Sequence, residues 1–83
     1  MTPAELQNFV QTAEGVYESR LRSFLEPEHQ GEFVAIHPDT GEYFLGQTLS
    51  EAIGAARRAH PGRLAHAIRI GHQAAVQIGV HLA

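Results

Sequence analysis

Histidine is the residue type in this 83-residue chain with the widest chemical reach. Six are present and cysteine is absent, so any transition-metal site would rest on imidazole and carboxylate ligands. His60, His66 and His72 recur at six-residue steps and are the candidate metal ligands. No HxH or HxxxH pair sets two imidazoles on one local face, so the spacing alone predicts solvated or capping roles and no bound cofactor. A histidine and carboxylate metal hydrolase is the enzyme-class alternative. It would combine His66 with Asp39 or Glu42.

Other catalytic arrangements find less support. Asp39-Thr40-Gly41 reproduces the short motif in which two chains each give an aspartate and share a proton to activate water. Pro38 before it and Glu42 after it instead make the segment a hairpin turn, with Gly41 supplying positive φ. Ser19, Ser23 and Ser50 lie on helical stretches, and none occupies a GxSxG elbow. Gly41 to Gly46 with Gln47-Thr48 lacks the Gly-Lys-Ser/Thr ending of a phosphate loop. No catalytic residue is therefore assigned, and the expected activity is binding rather than catalysis.

Charge is distributed unevenly. Residues 1 to 45 hold eight acids against Arg20 and Arg22, a net of -6, whereas residues 46 to 83 hold Glu51 against Arg57, Arg58, Arg63 and Arg69, a net of +3. These four arginines are candidate charged contacts. Four of them on an acidic chain make a weak nucleic-acid footprint, so nucleic acid is not the expected partner. The asymmetry can orient a partner or pair two copies head to tail.

The elements that must position these groups follow from periodicity. Thr2-Pro3-Ala4-Glu5 is a capped helix start. Leu6, Phe9, Val10, Ala13, Val16, Tyr17, Leu21, Phe24 and Leu25 form one stripe before Pro27. A helix of about 24 residues is about 36 Å long, whereas a strand of five or six residues is about 20 Å. The stripe thus exceeds what a small sheet covers, and Leu6, Phe9, Val10 and Ala13 are the predicted interface with a partner or second copy.

Residues 33–37 and 42–45 flank the turn as a hairpin, and Thr48-Leu49-Ser50-Glu51 opens a second helix whose buried side carries Leu49, Ala52, Ile53, Ala56 and Ala59. Gly54 in that helix predicts close approach by another backbone. Leu64 to Ile70 alternates as a strand. Gly71-His72-Gln73-Ala74 reads as a turn, and Val76, Ile78 and Val80 mark a last, edge strand able to accept another chain. The expectation is a single α+β domain over residues 1–83. It comprises a helix over 1–26 and a ββαββ unit over 31–83, with a small antiparallel or mixed sheet and both helices on one face.

Gly46-Gln47-Thr48-Leu49-Ser50-Glu51-Ala52-Ile53 after a tight hairpin resembles the core of HicB-type antitoxins, over about residues 33–70. That resemblance implies a partial ribonuclease-H-like arrangement and neutralisation of a partner by binding. The long leading helix departs from the pattern, and the stretch from Gly31 to Gly71 also looks like small prokaryotic proteins of this size. With no basic leader and no apolar span at the N-terminus, a cytoplasmic chain is expected, without membrane contact. The function expected is a small protein-binding or oligomerisation module, a homodimer or a complex with a protein partner; a structural assembly subunit is a further alternative.

Overall fold

The computed structural model describes residues 2–71 and 76–82. The leading helix starts at a complete capping box: Thr2 Oγ1 accepts from the Glu5 amide and the Glu5 carboxylate accepts from the Thr2 amide. It is α-helical over Pro3–Val16, π-helical over Tyr17–Leu21 and α-helical again over Arg22–Leu25. The buried residues of its packed part are Ala13, Tyr17, Leu21 and Leu25. Steps of four at about 100° per residue would drift about 40° each, or about 120° over the three steps. The wider π turn absorbs that drift and holds all four on one line. It also turns Phe24 outward, so this member of the expected stripe is 50% exposed.

Strands β1 (Phe33–His37), β2 (Glu42–Gly46), β3 (Leu64–Arg69) and β4 (Val76–Leu82) form one antiparallel sheet in the order β2-β1-β3-β4. The α+β class, the element order and the edge position of β4 agree with the sequence reading. His37 faces Glu42 across the hairpin, where the Gly41 amide donates to the His37 carbonyl at 2.9 Å and Gly41 has φ +79°. The second helix, Leu49–Ala59, carries the chain from edge strand β2 across β1 to β3.

The two helices cover opposite faces of the sheet, not one face as the sequence suggested. Side chains alternate along a strand, and the core divides by that parity. Val34, Ile36, Ile68 and Ile70 pack on the leading helix, whereas Ala35, Ala65 and Ala67 pack on Ala52, Ile53 and Ala56 of the second helix. Alternating valine or isoleucine with alanine reads as a strand either way. Here the alanines form a thin surface against which an alanine-faced helix can lie closely.

Two further expectations change. Ala59 is exposed at the end of the second helix. Gly54 meets no backbone: a Cβ there would find only the Arg58 guanidinium, at 3.5 Å. Close approach occurs instead at Gly46, where a Cβ would lie 2.4 Å from the Ala52 nitrogen. Thr48 caps the second helix through the Glu51 amide, while the Glu51 carboxylate reaches past it to the Gln47 amide.

Candidate functional site

The leading helix leaves its first turns uncovered. Residues 2–8 are all exposed, Leu6 at 42%, and Phe9 and Val10 are half-buried. Phe9 lines a shallow groove with Glu5, Asn8, Thr12, Pro38 and Asp39, so the hairpin turn is what meets the helix at this level. Ala13, expected at the interface, is fully buried within the chain's own core, because the sheet reaches one turn further along the helix than strand length alone suggested. Surplus apolar surface therefore begins at Leu6 and tapers off through Val10.

The edge strands of the sheet are β2 and β4. Val76, Ile78 and Val80 lie on β4, whose pairing with β3 shifts register between Ala67 and Ile68. The turn expected at residues 71–74 and the candidate ligand His72 lie outside the described residues, apart from Gly71. At the β2 edge, Tyr43 is 37% exposed and meets Phe24 edge to face, with centroids 6.2 Å apart. This aromatic pair was not singled out by sequence reading, since Phe24 sat in the helical stripe and Tyr43 in a half-buried strand.

The histidines separate. His66 shares the face of its neighbour Ile36, under the leading helix. Glu42 shares the opposite face with His37, under the second helix, so the expected pairing of His66 with Glu42 does not form. His60 caps the second helix on that face, away from His66, and its Nε2 contacts Glu42 Oε1 at 2.6 Å. Its ring also meets His37 edge to face at 5.2 Å. His37 is fully buried, with Nδ1 2.9 Å from the Leu64 carbonyl oxygen and Nε2 without a hydrogen-bond partner. Sequence reading passed over His37, because a histidine at a strand end carries no local signal. Among the described residues no group of three or more histidine, aspartate or glutamate side chains is arranged around a metal position.

No family model, curated protein or solved structure matches this chain.

Asp39 is exposed and ion-paired with Arg63, the opposite of the dry, proton-sharing aspartate its motif would require. Arg69 lies over the Phe33 ring at 5.9 Å, and Arg57 and Arg58 are exposed on the second helix. These arginines are spread over the second helix, a loop and β3 instead of forming one stripe. The hydrogen bond from His60 holds the Glu42 carboxyl below its ordinary value. A carboxyl lowered in the folded state contributes stability above its unfolded-state value, which is lost as pH falls through the folded value. Urea midpoints measured down the acid limb should therefore fall more steeply for the native chain than for Glu42→Gln.

A polar knot closes the far end of the leading helix. The Tyr17 hydroxyl donates to Glu26 Oε2 at 2.9 Å, and Arg22 Nε lies 3.3 Å from the same oxygen. Burial and the Glu26 carboxylate together raise the Tyr17 hydroxyl well above its usual value. Tyr17→Phe leaves a buried carboxylate short of one donor, and the expected loss is about 1–3 kcal/mol in urea denaturation. An unchanged midpoint would show the knot to be solvated. Among the described residues, no helix is long and apolar enough to cross a membrane.

Proposed function

We propose that this chain is a non-enzymatic protein-binding module whose working form is a homodimer built on the first turns of the leading helix. The observation that carries the proposal is the exposed Leu6, continuous with half-buried Phe9 and Val10, on a helix end that its capping box keeps ordered. An apolar strip at the end of a small domain is stabilised by covering it. A second copy suits this strip by charge. The half of the sequence containing the helix carries -6 and the half containing the exposed Arg57 and Arg58 carries +3, so a two-fold dimer that sets the acidic half of each copy toward the basic half of the other gains from charge as well as from covering the strip.

The antitoxin-like part of the proposal draws on residues 33–70, where a hairpin, a capped helix and a third strand follow in the order that the HicB resemblance implies. Partner neutralisation would then use the surfaces that the dimer leaves open, the β2 edge with Phe24 and Tyr43 among them. Co-expression with the product of the adjacent gene tests this: a stable complex of fixed stoichiometry supports it, and independent elution of the two proteins removes it. The homodimer reading is tested separately, by mass in solution.

A further inference from the structure

At the opposite end of the leading helix from Leu6, a hollow of about 450 Å³ is lined by Glu18, Arg22, Ser23, Glu26, Pro27 and Gln30. That size falls in the range of small-ligand pockets, and most of its lining surface is apolar. The homodimer built on Leu6 makes no use of it.

Glu26 distinguishes this hollow from an ordinary surface depression. Only 8% exposed, it is a carboxylate that the fold has taken almost wholly out of water. Its Oε2 is provided for, by the Tyr17 hydroxyl at 2.9 Å and by Arg22 Nε at 3.3 Å. Oε1 accepts no hydrogen bond among the described residues. Solvent still touches that atom, and Glu26 lines the hollow, so a donor can reach it from there. A carboxylate oxygen shielded from water in this way is best satisfied by a donor that is itself charged.

The charge of the lining agrees. Glu18 and Glu26 bring two negative charges and Arg22 one positive, a net of -1. Arg22 is already held between the two carboxylates, its Nη1 standing 2.8 Å from Glu18 Oε2. A cation is therefore favoured in the hollow and an anion disfavoured. The Pro27 ring and the methylenes of Arg22 give apolar surface for whatever carries the cation.

We propose that this hollow binds one ammonium or guanidinium group on a short apolar stem, the cation donating to Glu26 Oε1 and the stem lying against Pro27. Lysine and arginine side chains of a partner share that chemistry with free alkylamines and alkylguanidines.

Amide NMR of the full, isotopically labelled chain titrated with butylguanidinium and with butylammonium tests the site. Saturable shifts centred on residues 22–30 are expected, with a dissociation constant of about 1 mM. Butanol and butyrate should bind at least about 10-fold more weakly, and Glu26→Gln should weaken the cations to the same degree. Glu28→Gln, at an exposed carboxylate outside the lining, should change nothing. Should Glu26→Gln fail to fold, Glu18→Gln carries the test: its side chain is 54% exposed, and loss of its charge should weaken binding about 3-fold. A capped pentapeptide with a central arginine separates the sources. Tighter binding than butylguanidinium identifies a partner's side chain, and no tighter binding a free small cation. Shifts that never saturate or that centre elsewhere, equal binding of butanol, or full binding by folded Glu26→Gln or by Glu18→Gln would each overturn the proposal.

Discussion

Gly46→Ala is expected to cost the fold about 3 kcal/mol, because among the described glycines this is where an added Cβ meets the closest contact. The last residue of β2 faces the second helix with no room for a side chain: a Cβ would stand 2.4 Å from the Ala52 nitrogen and 2.7 Å from the Glu51 Cβ. With the Glu51 carbonyl carbon at 2.9 Å, two of the three crowding atoms are backbone, fixed by the cap at Thr48 and by burial of Ala52, so relief requires moving the whole helix off the sheet. For a domain of this size each kcal/mol shifts the midpoint by about 4–8 °C, which makes a fall of about 12 °C or more in thermal denaturation the expected reading. Gly54→Ala is the matched control. Its added methyl meets only a flexible guanidinium, at 3.5 Å, and the helix interior gains by up to about 1 kcal/mol. If both variants melted alike, the second helix would not be seated on β2 as described.

Leu6→Asp is expected to abolish the proposed dimer while leaving each chain folded. Covering one leucine contributes about 1.5–3 kcal/mol, and a two-fold interface uses the residue twice, so the dissociation constant should rise at least about 100-fold. Because Leu6 is 42% exposed in the single chain, the same substitution should change monomer stability by no more than about 0.5 kcal/mol. Phe9→Asp is a poorer probe, since Phe9 is half-buried beside the hairpin turn and its loss would also disturb the chain's own packing. Unchanged mass in a Leu6→Asp variant of native circular dichroism would place any association elsewhere.

Local signals in the sequence translated directly into structure. Thr2 and Glu5, Thr48, Pro38 and Gly41 act through atoms two to four residues away, and each performs the cap or turn its spacing announced. Long-range placement was less legible. Val34-Ala35-Ile36 is apolar on both sides of the strand, so nothing in it says that the alanines face one helix and the branched residues another. Nor does a stripe with steps of four disclose whether the helix will twist out of register or widen into a π turn, as it does at Tyr17–Leu21. Gly54 and Gly46 are alike in sequence, and only the path of the second helix over β2 decides which is crowded. The candidate site suffered most from this limit: His37 and His60 are 23 positions apart, and their meeting depends on the hairpin and the second helix ending at the same corner of the sheet.

Sedimentation velocity of the native chain, over a concentration series at low and at high salt, bears most directly on the dimer. The account predicts a species of twice the 9.1 kDa chain mass that dissociates on dilution, and more readily at high salt as the attraction between acidic and basic halves is screened. A single species of 9.1 kDa at every concentration and salt level would contradict it, because Leu6 and its neighbours would then remain open to water with nothing to cover them.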